Sequence, residues 1–493
     1  MIDAPRPSSP TSSSRAVTDR QIAAYSVAAF ATMFLSQPVV SLVPQLYAKE
    51  FGLSLAGLGA VLFFGRIFNA LIDQLIGYLS DRTRSRWGAR KPWVVAGATL
   101  TVIAAFFMLK PPPGIGLIYF FVWRMIYDVA SAMVNISYTA WGAELSEDYT
   151  KRSRITGFRG LSSQIGSVLN DFLPILVAWI GLTASASYSM EMMGYFFIVA
   201  LVTIPLTTLV AVWGAPEGSA LPPERPELRG LITSVRRNRP FWLYLASFIT
   251  TGVGLGVLQL MFTFYDGYLK LGAWFPYIMT AFSFATVIGI PLWSWAAARI
   301  GKHRAYSLSM VVASLAMNGF WFVTPGITPE STLVPMAFAV LIVMGIGVAG
   351  SMTLPAAILA DVVDYATLKT GEVRTGSYFA FYMLTTTVAM AVGAGLGFMM
   401  LGAFGYDAKA GAVNGAPAQF GMMFTVVAVP TVLKIVGALM VWNFPIDARR
   451  HDTIRRRLAE LGRRTARLDV PTIAPGAVID AETPSGRLAG GFA

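Results

Sequence analysis

The sequence predicts an all-α membrane protein that crosses the bilayer twelve times. Hydrophobic residues make up 55% of the 493 residues and charged residues only 13%, whereas about 25% of a soluble domain is charged. A chain with so few polar side chains cannot coat a soluble globule. Long runs also lack Asp, Glu, Lys and Arg altogether, and a helix across the bilayer core takes about 20 apolar residues.

The charge-free runs supply ten of the predicted spans. An apolar run of this length is typical of a transmembrane helix. The runs are Gln21–Ala48, Pro92–Leu109, Phe172–Met190, Met192–Pro216, Phe241–Tyr265, Leu271–Ala298, Ala305–Pro329, Ser331–Ala360, Thr375–Tyr406 and Ala410–Leu433. Two further apolar stretches, Leu53–Ser80 and Ile115–Glu144, contain charged residues and bring the number to twelve.

Basic residues are distributed unevenly between the predicted loops. Most of the 38 Lys and Arg residues lie in one alternate set of loops and in both tails, whereas the other loops hold only Lys49, Lys110, Lys270 and Lys409. Because basic residues concentrate on the cytoplasmic side, we expect a multi-pass protein of the inner cell membrane with both termini in the cytoplasm. The same bias explains the net charge of +12 without a nucleic-acid partner. A monomer in the lipid bilayer is the expected state.

Six spans on either side of a polar linker define the expected domain organisation. Two six-helix halves joined by a long cytoplasmic linker are the layout of the major facilitator fold. The expected segments are a disordered cytoplasmic N-tail (1–20), an N-terminal half (21–214), a cytoplasmic linker (215–239), a C-terminal half (240–444) and a basic cytoplasmic C-tail (445–493). Within the C-tail we expect a short basic helix near Thr453–Arg467 at the membrane surface.

Residues that many enzymes need are missing from the sequence. It contains no cysteine, which excludes disulfides, thiolate metal sites and cysteine catalysis. The two histidines, His303 and His451, both fall in basic segments predicted to lie outside the membrane. Neither a G-x-x-x-x-G-K-[ST] phosphate loop nor an HExxH zinc motif occurs. We therefore expect no enzyme, no ATP-driven transport and no cofactor other than a coupling ion.

Asp73 is the main candidate for binding that ion. It lies near the middle of the second span, where a charge costs roughly 2.5–3.5 kcal/mol. Asn69 lies one helical turn earlier on the same face. A carboxylate beside an amide oxygen can bind Na⁺, and Asp73 can alternatively carry H⁺. The structural alternative is an ion pair with Arg66, two turns back.

Other polar residues within the spans are candidates for binding a solute. Arg124 and Asp128 are four residues apart in the fourth span, so they either neutralise each other or contact the solute. A sugar needs polar groups for its hydroxyls and an aromatic face for its ring. Side chains of these two kinds occur in both halves, among them Tyr25, Gln37, Asn135, Tyr138 and Tyr382. Tyr and Trp near span ends are also typical of the membrane interface.

Three segments on the expected cytoplasmic side resemble one transporter family. Asp81–Trp93 reads DRTRSRWGARKPW, Asn135–Tyr149 reads NISYTAWGAELSEDY, and Ala360–Gly371 reads ADVVDYATLKTG. These segments are similar to those of the glycoside–pentoside–hexuronide:cation symporters, the melibiose-permease-like family of the major facilitator superfamily. The resemblance extends over the whole twelve-span body.

The resemblance implies uptake of a sugar together with Na⁺, Li⁺ or H⁺ by alternating access. It places Asn69 and Asp73 at the two acidic positions of the family's cation site, and the loss of one acid favours H⁺ slightly. Asn135 falls at a position that contacts sugar in the family. Met33 stands where a sugar-contacting Asp is usual, and Val388 stands near the position of a lysine in the eleventh span. These two differences point to another glycoside, or to a more apolar or lipid-like solute.

Charged residues at the expected cytoplasmic helix ends are candidates for a gate between the halves. Ion pairs between the halves would hold the outward-facing state and break when the protein opens inward. The alternative is a set of solvated loop charges that only fixes the topology. The candidates are Asp81, Arg82, Glu144, Arg152, Arg159, Asp361, Asp364 and Arg374.

Three hypotheses for the function follow from the sequence. The first is a secondary active transporter that couples H⁺ or Na⁺ to the symport of a sugar or glycoside by alternating access. The second is a symporter or exporter of an amphipathic solute that is not a simple sugar, such as a lysolipid or an apolar glycoside. The third is a non-transporting membrane sensor. Charged residues within the spans favour transport over sensing, and the sequence has no recognisable output domain.

Overall fold

The structure of the chain, a computed structural model, is helical almost throughout. It describes residues 17–146, 149–217, 238–323, 327–371 and 375–468, and these residues contain no β-strand. Twelve of their helices are long and apolar enough to cross a membrane, which confirms the predicted fold class and number of spans. The expected N-tail before residue 17 and residues 218–237 of the expected linker lie outside the described part of the chain.

The first six spans form one half of the bundle. They are α1 (Asp19–Phe51), α2 (Leu55–Arg82), α3 (Lys91–Leu109), α4 (Leu117–Glu144), α5 (Tyr149–Trp179) and α6 (Met190–Gly214). Ser54 caps α2, because its side chain accepts a hydrogen bond from the backbone N–H of Gly57. A π-helical turn at Pro38–Leu42 interrupts α1, where Pro38 lacks the backbone N–H that a regular helix needs.

The second six spans and a C-terminal helix complete the fold. They are α7 (Arg239–Leu260), α8 (Phe275–Ile300), α9 (Lys302–Phe322), α10 (Glu330–Thr370), α11 (Thr375–Ala403), α12 (Ala416–Trp442) and α13 (Ala448–Leu468). α10 continues beyond the end of its charge-free run at Ala360 and carries Asp361 and Asp364 on its last turns. The residue that follows its last turn is Gly371, whose φ of 74° is the left-handed conformation that suits glycine. α13 begins earlier than the expected Thr453–Arg467.

The two halves touch each other at one end of the bundle. The end that carries the loops Arg82–Lys91 and Arg299–Arg304 is called the basic end below, and the opposite end the far end. α2 begins and α11 ends at the far end, where a Cβ on Gly59 would lie 2.7 Å from the backbone oxygen of Gly395. Glycine therefore permits the close approach of these two helices.

Candidate solute and cation cavity

A cavity of about 1130 Å³ lies between the two halves. α1, α2 and α4 form its wall on the side of the first half, and α7 and α11 form the opposite wall. The part of α4 that lines it extends from Arg124 to Ala143, one residue before the basic end of α4 at Glu144. The cavity therefore extends toward the basic end.

Polar contacts between the halves close the far end. Nζ of Lys49 lies 2.8 Å from the carboxylate of Asp266. The side chain of Gln45 donates a hydrogen bond to the backbone oxygen of Gln259 over 2.6 Å and accepts one from the backbone N–H of Thr263 over 2.7 Å. Gln45 is 1% exposed, so water does not weaken these bonds. The structure thus holds the far end closed and the cavity open toward the basic end.

Four charged side chains line the cavity, and all four belong to the first half: Arg66, Asp73, Arg124 and Asp128. Nε of Arg124 lies 3.0 Å from the carboxylate of Asp128, and both side chains are 10% exposed. This is the intrahelical ion pair expected from their spacing. Because the pair also lines the cavity, mutual neutralisation and solute contact are compatible here.

Asp73 and Asn69 keep oxygens available to a ligand. Among the described residues, no Lys, Arg or His nitrogen lies within 4.0 Å of the Asp73 carboxylate, so the structure contains no close Arg66–Asp73 pair. Asn69 is 9% exposed, and its side-chain oxygen has no hydrogen-bond partner. A buried amide oxygen without a partner is unfavourable by about 1–3 kcal/mol. A cation or a donor group of the solute would satisfy it, so the residues present fit a cation.

Asn135 lines the cavity, as its candidate role requires, but two of the tyrosines do not. The rings of Tyr25 and Tyr138 are stacked with their centroids 4.4 Å apart. Each hydroxyl donates a hydrogen bond to the backbone oxygen of the other residue, over 2.7 and 2.8 Å. Both residues are nearly inaccessible. The two tyrosines therefore hold α1 and α4 together and are not available to a solute in the cavity.

Two more candidates lie away from the cavity lining. Gln37 is exposed and lines no part of the cavity. Tyr382 is buried in the core of the second half, where its ring packs on Tyr244 and Phe248. Met33 and Val388, the two positions that differ from the family pattern, also lie outside the lining.

The cavity has lining residues that no sequence motif singles out. On α4 the residues Arg124, Asp128, Ser131, Asn135 and Thr139 all face it. Their spacing of three or four residues is the period of one helix face. That period, counted from Arg124, is the signal in the sequence that would have identified Ser131 and Thr139.

The two walls of the cavity differ in chemistry. The second half contributes no charged residue to the lining; its lining residues are Gln259, Met383, Thr387, Met390, Ala391 and Ala394. The aromatic ring in the lining is that of Tyr127, which is 2% exposed. The described lining therefore offers a charged wall and a mainly apolar, methionine-containing wall, but no open aromatic face.

The gate candidates of the first half pair within that half. Arg90, which was not among the candidates, lies 2.6 Å from Asp81 and 2.8 Å from Glu144. Burial disfavours the charge of Arg90, but hydrogen bonds from its guanidinium to Glu144 and Asp81 outweigh this effect and raise its pKa. Arg82 stacks over the ring of Tyr78.

The gate candidates of the second half also pair within their own half. Nζ of Lys302 lies 2.7 Å from Asp361, and Nε2 of His451 lies 3.1 Å from Asp364. Arg159, in the first half, donates a hydrogen bond to the hydroxyl of Thr139. Among the described side chains, no ion pair joins the halves at the basic end. Arg374 and the side chain of Arg152 lie outside the described part of the chain.

Comparison with known proteins identifies the family. The family model described as MFS/sugar transport protein matches residues 24–448. The chain belongs to this family. A glucuronide carrier protein homolog of Escherichia coli (strain K12) is 22% identical to it over 88% of this chain and 94% of that protein. The sodium-dependent lysophosphatidylcholine symporter 1 of Homo sapiens is 24% identical over 81% of this chain and 78% of that protein.

The fold is also that of solved transporters. A bacterial homolog of the human lysosomal transporter Spinster, in an inward-facing and unoccupied conformation, superimposes with a TM-score of 0.61 at 15% identity, covering 86% of this chain and 97% of that one. This likeness shows the fold alone. The family match and the glucuronide carrier homolog confirm the resemblance of the sequence motifs to melibiose-permease-like symporters, and the family match identifies a multi-pass membrane transporter.

Proposed function

We propose that this protein is a secondary active transporter that couples a cation to the symport of an amphipathic glycoside into the cell. The unequal lining of the cavity carries the proposal. Charged and amide groups on α2 and α4 suit the hydroxyls of a sugar, whereas the methionines and alanines of α11 suit an apolar aglycone. At about 1130 Å³ the cavity is also large beside ordinary small-molecule pockets of about 300–1,000 Å³.

In this proposal the residues that line the cavity on α4, α11 and α2 have separate roles. The Arg124–Asp128 pair and Asn135 bind the sugar, and the apolar aglycone packs on Met383 and Met390. Asp73 binds the cation, as Na⁺ with the side-chain oxygen of Asn69 or as H⁺ on its carboxylate. Bound cation removes the uncompensated charge of Asp73, so the loaded cavity closes at the basic end more readily than the partly loaded one.

A lysophospholipid is the second candidate solute. The methionine-containing wall on α11 favours it, because an acyl chain needs a flexible apolar surface. The relative named above as a lysophosphatidylcholine symporter shows that a member of this broader group handles such a solute. Its zwitterionic head group would then contact the Arg124–Asp128 pair.

Counterflow in proteoliposomes tests the proposal without any driving gradient. The solutes are free monosaccharides, the same sugars with a nitrophenyl aglycone, and a short-chain lysophosphatidylcholine. We expect exchange of the nitrophenyl glycosides and weak or absent exchange of the free sugars. Exchange of the lysolipid alone would favour the lysophospholipid over the amphipathic glycoside as the solute. If the folded protein exchanges none of these solutes, both candidates are contradicted.

A further inference from the structure

The C-terminal helix α13 lies against the gate residues of the second half. Five residues separate its start at Ala448 from the end of α12 at Trp442. Asp447 caps it by accepting a hydrogen bond from the backbone N–H of Arg450 over 2.8 Å. Ile454 is 8% exposed and belongs to the core of the second half, and Leu458 packs against the same core. One face of α13 is therefore docked on the bundle.

The polar contact of this face is made by His451. Its Nε2 lies 3.2 Å from Asp361 and 3.1 Å from Asp364, so one imidazole contacts both carboxylates. Lys302 occupies the other side of Asp361 at 2.7 Å. The His451 side chain is 16% exposed and that of Asp361 13%, so solvent screens the His451–Asp361 contact less than that of a surface pair.

These contacts occupy the carboxylates that the gate between the halves would use. At the basic end of the first half, the guanidinium of Arg159 donates a hydrogen bond to the hydroxyl of Thr139 over 3.3 Å. It makes no described contact with the second half. In the gate hypothesis, Asp361 and Asp364 pair with residues of the first half when the basic end closes. A carboxylate held by His451 is less available to such a partner, so the two sets of contacts compete.

We propose that His451 is a positioning residue of the transport cycle: by holding Asp361 and Asp364 on α13, it stabilises the state in which the cavity is open at the basic end. This inference rests on the alternating access of the proposed function. It makes the C-terminal helix a part of the gate. Removing the His451 contact shifts the population toward closure of the basic end.

Labelling of a single cysteine tests this inference. Ala143 lines the cavity near the basic end and is exposed, and the natural chain contains no cysteine, so Ala143→Cys gives one reactive thiol. In this background we expect His451→Gln to slow labelling by a water-soluble maleimide about fivefold. His451→Lys again places a nitrogen donor near both carboxylates and should restore most of the rate.

Arg455→Gln is the matched control, because Arg455 is an exposed cation on the same helix. Its labelling rate should equal that of the parent. Equal rates for His451→Gln and Arg455→Gln would overturn the inference, and so would failure of both His451 variants to fold while Arg455→Gln folds. The assay needs no transported solute, so its failure is distinguishable from failure of the proposed function.

Discussion

The two carboxylates of the cavity have different surroundings although both lie within spans. Asp128 is neutralised by Arg124 at 3.0 Å, whereas Asp73 has no such partner among the described residues and lies near the unpartnered oxygen of Asn69. A paired carboxylate is suited to a fixed contact with a solute. An unpaired carboxylate is suited to binding and releasing a cation.

Removing one member of the Arg124–Asp128 pair should destabilise the first half. Asp128→Asn leaves the guanidinium of Arg124 without its anion at a site that is 10% exposed, and we expect a loss of about 1–3 kcal/mol. The double substitution Arg124→Gln with Asp128→Asn should recover most of that loss, because no charge is left unpaired. Thermal unfolding followed by tryptophan fluorescence measures both. A double variant no more stable than Asp128→Asn would contradict this interpretation.

Residue types were easier to predict from the sequence than the direction in which each side chain points. Asp73, Asn69, Arg124, Asp128 and Asn135 do line the cavity. An ionisable or amide group inside a span is strongly disfavoured on the lipid side, and this restricts where it can point. Tyrosine is tolerated in the core, in the cavity and at the membrane interface. Composition alone could therefore not place Tyr25, Tyr138 or Tyr382.

Among the helices, the contact of α2 with α11 sets how closely the halves approach at the far end. Gly59 faces the backbone of α11, where the atoms nearest to an added Cβ include Gly395 O at 2.7 Å and Met399 N at 2.9 Å. Backbone atoms cannot move aside as a flexible side chain can. Even a methyl group at this position therefore forces the two helices apart.

Gly59→Ala should consequently disfavour closure of the far end. In the Ala143→Cys background we expect maleimide labelling to slow about fivefold or more, because the alternative state closes the basic end. Gly77→Ala on the same helix is the control, since an added Cβ there meets nothing within 4 Å. Identical labelling of the two glycine variants would show that this contact does not limit the movement.

Helix boundaries near charges were the least predictable feature of the elements. The charge-free run predicted that the tenth span ends near Ala360, but α10 continues to Thr370. Lys302 on α9 contacts Asp361 and His451 on α13 contacts Asp364, so these carboxylates have partners within the fold. Such partners come from distant parts of the chain, so a local pattern of apolar and charged residues could not reveal them.

For the molecule as a whole, the structure shows one state of a rocking movement of the two halves: the far end is closed by contacts between the halves, and the cavity is open toward the basic end. Of the ion pairs between described residues, Lys49–Asp266 is the one that joins the halves, and its side chains are 23% and 16% exposed. The described gate residues at the basic end pair within their own halves. The twelve-span layout was predictable from apolar runs and loop charges, whereas the state of the cavity depends on contacts between the halves.

Breaking the Lys49–Asp266 pair should weaken the closed far end. Lys49→Gln should slow labelling of Ala143→Cys by up to about fivefold, as expected for a partly exposed pair contributing about 0.2–1 kcal/mol. Exchanging the two charges, Lys49→Asp with Asp266→Lys, should restore at least part of the parent rate. If the exchanged pair labels no faster than Lys49→Gln, the charge interaction is not what holds this end.

The most direct test of cation-coupled symport is uptake into proteoliposomes by the Asp73→Asn variant, using the solute found by counterflow. Asp407→Asn, at an exposed loop position, is the matched control. We predict that an inward gradient of Na⁺ or of H⁺ drives the parent and the control to accumulate solute, whereas Asp73→Asn still exchanges solute but accumulates none. If Asp73→Asn accumulates as much solute as the parent under the same gradient, coupling at Asp73 is contradicted. If neither a Na⁺ nor an H⁺ gradient drives the parent to accumulate solute, symport itself is contradicted.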